Sequence, residues 1–270
     1  MQVHMLRCFG ALPGDGNPAL VIENGDPDSA ARQAFARERD TTCVWIDPAP
    51  DAGSPLIDFY YPHARSPLCV HATLAVAHLL ISRAGTAELT VRTAMRRQEL
   101  GLLRLDDAVF VRLAPQAVAQ PRMAPGQVVH MLRIPEDAIV TAPRVTSIGS
   151  PKMLVEVSDA ATLRELAPDL AAILAWSETS GVNGIYAYCR RADGSVEGRN
   201  FNHRDPRLED SATGVAAGAL TVLLGQDLTL HQGHESGRNC LIRTRLHDDA
   251  VLVGGRVESC DDHGVEKLNG

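Results

Sequence analysis

The chain says nearly the same thing twice. Residues 61–85 read YPHARSPLCVHATLAVAHLLISRAG and residues 201–225 read FNHRDPRLEDSATGVAAGALTVLLG. At one constant offset and with no gap, His63 meets His203, Leu68 meets Leu208, and Ala72-Thr73 meet Ala212-Thr213. Ala77, Leu80 and Gly85 then meet Ala217, Leu220 and Gly225. A shorter pairing sets residues 16–23 (GNPALVIE) against residues 149–156 (GSPKMLVE). A duplicated chain is expected to fold as two like lobes, and ligand sites favour the ground between lobes. Both copies are therefore expected to aim chemical groups at one cleft.

Each half runs through the same order of elements. In the first, residues 19–23 form a strand, and Asp28 or Ser29 caps a helix to about Arg39. Strands follow at 43–46 and 58–61. In the second, 153–157 is a strand, and Ser158 or Asp159 caps one helix reaching about Ala175. Strands follow at 184–189 and 197–201. The segments 72–81 and 212–224 are rich in Ala, Val and Leu and hold no charge. A helix apolar on all sides is buried on all sides. The predicted fold class is α+β, with two pseudo-symmetric lobes, each a curled, mostly antiparallel sheet around a central helix. The expected division is an N-terminal lobe 1–115, a proline-rich linker 116–127 and a C-terminal lobe 128–270. The division leaves open a return of the last residues onto the first lobe, and the tail after Cys260 is expected to fray.

The net charge of −7 is spread without a basic stripe, which argues against nucleic acid and anionic membranes as partners. The longest apolar runs, 74–81 and 215–224, are too short to cross a bilayer. The opening MQVHMLRCFG lacks a signal-peptide apolar region, so a cytoplasmic location is expected. The six cysteines show no CxxC spacing, which disfavours a disulfide framework and a zinc site and predicts free, mostly buried thiols. No glycine-rich phosphate loop is present, so no nucleotide cofactor is expected.

Five short elements carry a resemblance. They are Gly16-Asn17-Pro18-Ala19; Pro62-x-x-x-x-Pro67-x-Cys69-Val70-His71-Ala72-Thr73; Glu209-Asp210-Ser211-Ala212-Thr213-Gly214; Gln232-Gly233-x-Glu235-x-Gly237-Arg238; and Val253-Gly254-Gly255. In that order they resemble the motifs of the phenazine-biosynthesis PhzF-like family. The resemblance implies the diaminopimelate-epimerase-like fold. It also implies a cofactor-independent isomerase or epimerase of a small carboxylate-bearing metabolite, in biosynthesis and often as a homodimer. In the phenazine enzyme of that family a glutamate moves a proton between ring carbons of a dihydro-hydroxyanthranilate, helped by a histidine and an aspartate. The matching positions here are Asp40, His71 and Asp210, which are the expected catalytic residues.

This chain departs from the family pattern near the implied site. The family glutamate is Asp40, one methylene shorter, which sets its carboxylate about 1–1.5 Å back. A displacement of about 1 Å can cost about 100-fold in rate. Val70 replaces a glycine, Arg65 a glutamate, Ser211 a proline and Val215 a small hydroxyl residue. The expected substrate-binding residues are Asn17, His63, Arg65, Val70, Thr73, His203, Ser211, Thr213, Gly214 and Val215. Backbone N–H groups at the two helix N-termini suit a carboxylate, and Arg65 could clamp one in bidentate fashion. Each residue also has a plainer role: Asp40 as a turn residue, His71, Thr73, Asp210 and Thr213 as helix caps, His63 and His203 as solvated loop side chains, and Arg65 as a side chain that is solvated or paired with a nearby acid. A two-thiol racemase is disfavoured, because the position matched to Cys69 is Glu209. A non-catalytic binding homologue, or an enzyme using His63 or His203 for a lyase or cyclisation step, are the alternatives.

Overall fold

A computed structural model describes residues 1–49, 53–202 and 209–260. The chain divides into two compact units, Met1–Leu113 with the chain from Gly254 onward, and Ala114–Val253.

The first unit holds β1 (Gln2–Cys8), β2 (Asn17–Glu23), α1 (Ser29–Glu38), β3 (Cys43–Asp47), β4 (Leu56–Tyr60), β5 (Arg65–Ser66), α2 (Val70–Ala84), β6 (Glu88–Thr93), β7 (Glu99–Leu105) and β8 (Ala108–Leu113). Its strand order is β1-β2-β3-β4-β6-β7-β8, with β5 added to β4. Pairing is antiparallel except at the two helical crossovers, β2 to β3 through α1 and β4 to β6 through α2. α2 packs against β1, β2 and β3 and also against β7 and β8. Strands from both ends of the sheet can touch one helix only if the sheet curls around it. α2 is accordingly buried from Val70 through Ala77. α1 covers the outer face, where Ala36 packs with Ile22, Cys43, Trp45 and Tyr60.

The second unit holds α3 (Gln127–Leu132), β9 (Arg144–Thr146), β10 (Lys152–Glu156), α4 (Ala160–Glu165), α5 (Leu170–Ser180), β11 (Ile185–Arg190), β12 (Val196–Phe201), α6 (Gly214–Leu224), β13 (Leu228–Gln232), β14 (Cys240–His247) and β15 (Ala250–Gly255). The order β9 through β15 is sequential. The parallel pairs are again β10 with β11 and β12 with β13, each spanning a helical crossover. α6 packs against β9 and β10 at one end and β13 and β14 at the other. The duplication read from the sequence thus recurs as one succession of antiparallel and parallel pairings, once in each unit.

Two expectations need correction. The single helix after β10 is two helices. Pro168 has no N–H to give and cannot continue α4, and Asp169 restarts the chain as a cap, accepting from Ala172 N at 2.9 Å. The segment expected as a linker belongs to the second unit. Gln116 N donates to Ser147 O at 2.8 Å, and the Gln120 amide group exchanges two hydrogen bonds with the Val145 backbone, at 2.7 and 2.9 Å. The first unit also takes up the chain beyond Gly254: β16 (Val257–Ser259) pairs antiparallel with β1, and Phe9 N donates to Arg256 O. The tail beyond Cys260 lies outside the described residues.

Of the alternative caps, Asp28 and Asp159 are the ones used, each accepting from a backbone N–H three residues on at 2.8 Å. All six cysteines are free, and all but Cys260 are buried. Among the described residues no helix is long and apolar enough to cross a membrane.

Candidate active site

In the first unit the site residues gather where β4 and β5 lead into α2. The anchor is Asp58, a carboxylate only 4% exposed. It accepts both Nε and Nη2 of Arg65 at 2.9 Å, Tyr60 Oη at 3.1 Å and Arg32 Nη1 at 3.4 Å. Arg32 is held in turn by a two-pronged contact with Asp47 at 2.7 and 2.8 Å. A buried carboxylate is tolerated only when it is paired and hydrogen-bonded in this way. Burial pushes the Tyr60 phenol up, which keeps it a neutral donor. Arg65, expected as a substrate clamp, therefore directs its guanidinium at Asp58 and fastens β5 to β4.

The chain then passes through Cys69 into α2. Cys69 occupies the N-cap position without a side-chain cap. Its carbonyl accepts both the backbone N–H of Thr73, at 2.9 Å, and the Thr73 hydroxyl, at 2.7 Å. Thr73 is thus no cap: it is fully buried and bonds back along the helix. Val70 fills the first helical position and is buried. His71 follows, 6% exposed, with Nδ1 at 3.3 Å from Cys69 Sγ. A buried imidazole beside a thiol can take or give a proton at Nδ1, and the tautomer decides which. Asn17 is buried at the start of β2, one of the strands on which α2 packs.

The other first-unit candidates lie on the surface. Asp40 is exposed, in the turn between α1 and β3, with φ of 44° and its N–H donating to Arg37 O. Aspartate is one of the few residues that tolerate this left-handed conformation. The Asp40 carboxylate is exposed because the turn closing α1 carries it outward. His63 is exposed and stacks on Tyr61, with ring centroids 5.5 Å apart and an interplanar angle of 10°.

In the second unit the site residues gather before α6. Glu209 is clasped by Arg199, whose Nε and Nη2 donate at 3.0 and 2.8 Å. The same guanidinium donates through Nη1 to the carbonyls of Leu163, Arg164 and Leu166, satisfying the C-terminal end of α4. Asp210 comes next and is half-buried. Its Oδ2 accepts the Thr213 hydroxyl at 2.8 Å. Ser211, Thr213 and Gly214 are buried, and Val215 is half-buried in the first turn of α6. His203 lies outside the described residues.

Sequence reasoning missed the residue that ties this half together. Gln232, at the end of β13, donates through Nε2 to Asp210 O at 2.6 Å and to Thr213 Oγ1 at 3.0 Å. Its Oε1 accepts Thr213 N and the Tyr186 hydroxyl, both at 3.1 Å. Burial pushes the Tyr186 phenol well above its ordinary range, and the negative charges of Asp210 and Glu209 add to this. Gln232 stood inside the motif Gln232-Gly233-x-Glu235-x-Gly237-Arg238, but that motif carried no reading for its side chain.

The Phenazine biosynthesis-like protein family model matches residues 6–258. A protein described as an uncharacterized isomerase, YddE, of Salmonella typhimurium is 28% identical over 247 residues, covering 86% of this chain and 82% of that protein. The trans-2,3-dihydro-3-hydroxyanthranilate isomerase of Pseudomonas chlororaphis is 27% identical over 266 residues, covering 91% of this chain and 90% of that enzyme. Among solved structures, one titled a predicted epimerase from Pseudomonas aeruginosa superposes with a TM-score of 0.77 at 25% identity, covering 96% of each chain. A hydroxyproline epimerase from Agrobacterium vitis shares the fold at 13% identity, with a TM-score of 0.61 over 98% of this chain and 91% of that one. The α+β fold with its two curled repeats and the match along nearly the whole chain lead to one conclusion: the protein belongs to the phenazine biosynthesis-like family and is an isomerase.

Proposed function

We propose that this isomerase moves a proton on a small carboxylate-bearing metabolite without a cofactor. The observation that carries the reading is that each unit places an ionisable side chain at the N-terminal end of its own central helix. His71 lies in the first turn of α2, and Asp210 lies just ahead of α6. Helix N-termini favour an anionic substrate group; the N–H groups of Thr73 and Thr213 are already given to Cys69 O and Gln232 Oε1, so the proposed carboxylate holders are the backbone N–H groups of the first turn of α2 ahead of Thr73 and of Gly214 and Val215. Asp40, at the position matched to the family glutamate, abstracts a proton from a carbon alpha or vinylogous to an electron-withdrawing group and returns it elsewhere. Its exposure leaves it open to a substrate from solvent. His71 and Asp210 orient the substrate and relay the proton.

The test is turnover in deuterium oxide. Trans-2,3-dihydro-3-hydroxyanthranilate, acted on by the Pseudomonas chlororaphis relative, is the first probe, followed by small cyclic and α-substituted acids. The wild-type chain is expected to fix solvent deuterium at one carbon of the product. Asp40→Asn, His71→Asn and Asp210→Asn are each expected to slow this by about 100-fold or more. Native-rate uptake by Asp40→Asn removes Asp40 from the mechanism. Tight binding of a probe with no deuterium uptake by any variant or by wild type overturns the proton-transfer reading.

A further inference from the structure

The hydrogen-bond directions beneath α6 can be solved one by one. The backbone N–H of Thr213 can only donate, so the Gln232 atom at 3.1 Å from it is the amide oxygen. The Asp210 carbonyl can only accept, so the atom at 2.6 Å from it is the amide nitrogen. These two obligate partners fix the orientation of the amide without appeal to its surroundings. The second amide hydrogen of Gln232 then points to Thr213 Oγ1. Having accepted that hydrogen, the Thr213 hydroxyl sends its own proton to Asp210 Oδ2. At the other end Gln232 Oε1 is an acceptor, so Tyr186 must be the donor to it.

From this we infer that Tyr186 and Gln232 are positioning residues that hold Asp210 as a hydrogen-bond acceptor, by forcing the Thr213 hydroxyl to donate to it. The inference rests on the role proposed above for Asp210 and extends it to residues that touch no substrate. A one-way chain runs from Tyr186 O–H to Gln232 Oε1, and from Gln232 N–H through Thr213 O–H to Asp210 Oδ2. It draws together β11, β13 and the start of α6, so the carboxylate is held by side chains seated on two strands and a helix terminus. Oδ2 of Asp210 is thereby held as the acceptor of a proton that cannot turn away. Among the described residues, charged and titratable groups beside this array in the second unit include Glu209, paired with Arg199, and Tyr186, kept neutral by burial.

Two substitutions separate the halves of the Gln232 amide. Gln232→Glu keeps an oxygen for the Thr213 N–H and Tyr186 but removes the hydrogens sent to Asp210 O and Thr213 Oγ1. Gln232→Leu removes both functions. Amide exchange at Thr213, read by NMR on the full chain, is expected to stay within about threefold of wild type in Gln232→Glu and to quicken by about tenfold or more in Gln232→Leu. In the deuterium-uptake assay, Gln232→Glu and Thr213→Val are each expected to lower kcat by about tenfold with KM little changed. The double variant is expected to lose no more than either alone, since both break the same chain. Equal Thr213 exchange in wild type and Gln232→Leu, or losses that multiply in the double variant, overturn the inference. If Asp210→Asn turns over at the native rate while the exchange pattern holds, the array stands as described and the role of Asp210 falls.

Discussion

Gly233 is the residue whose replacement tests most directly how the loop before α6 is held. Its φ is +96°, and a Cβ built there collides with Arg238 O and meets Ser211 O at 2.9 Å. Both contacts are to backbone, which cannot swing aside as a side-chain tip can. Gly237, four residues on, has a φ of +66° and nothing within 4 Å of its Cβ. Gly237→Ala therefore isolates the left-handed strain, about 1 kcal/mol. Gly233→Ala carries that strain plus a forced backbone displacement of about 1 Å, worth roughly a further 2 kcal/mol. At about 2–4 °C per kcal/mol for a chain of this size class, the expected loss in Tm is about 2–4 °C for Gly237→Ala and about 6–12 °C for Gly233→Ala. Because Gly233 abuts the carbonyl of Ser211, next to Asp210, the same displacement is expected to slow turnover by about 100-fold. Thermal melts followed by circular dichroism, with deuterium uptake on the same samples, provide the check. Equal Tm losses in the two variants would falsify the claim that close backbone approach, and not conformation alone, requires glycine at 233.

Two further outcomes are expected. Asp58→Asn leaves Arg32 and Arg65 facing a neutral group in a buried place and should cost about 3–5 kcal/mol in urea unfolding. Arg65→Gln should cost about 1 kcal/mol or less, since that side chain is 37% exposed and its pairing is screened; equal costs would refute the assignment of Asp58 as the anchor. Burial raises the Cys43 thiol to about 12, the Cys189 thiol to about 11 and the Tyr188 phenol to about 12, and pushes the Tyr186 phenol well above its ordinary range. Each raised group contributes stability that is whole below its unfolded-state value and is lost as pH climbs toward its folded-state value. Stability should hold to about pH 8 and fall steadily from about pH 9 to 12. Tyrosinate absorbance should lag behind that of a free tyrosine until unfolding begins, and a smooth early rise would refute the assignment of these phenols as buried.

The helix break at Pro168 shows where local signals were present but underweighted. The proline and the following Asp169 are an ordinary stop-and-restart signal, yet the apolar pattern ran on through them. The Arg65 pairing shows the opposite limit. Nothing within a few residues of Arg65 distinguishes a substrate clamp from a structural partner until β4 and β5 pair and bring Asp58 beneath its guanidinium. Asp40 was legible as a candidate through its motif position, whereas its exposure follows from the angle at which the chain leaves α1.

What the amino-acid order determined by itself is the repeat: two copies of one strand–helix succession, two charge-free helices that must be buried, and motifs marking the family. Those properties are carried by periodicity and short spacing, which a linear reading sees. Only the tertiary structure decided which polar groups meet. Tyr186 and Gln232 stand 46 residues apart, and Gln232 and Thr213 stand 19 apart. Their hydrogen bonds depend on angstrom-scale placement of β11, β13 and α6, which is a property of packing and not of pattern.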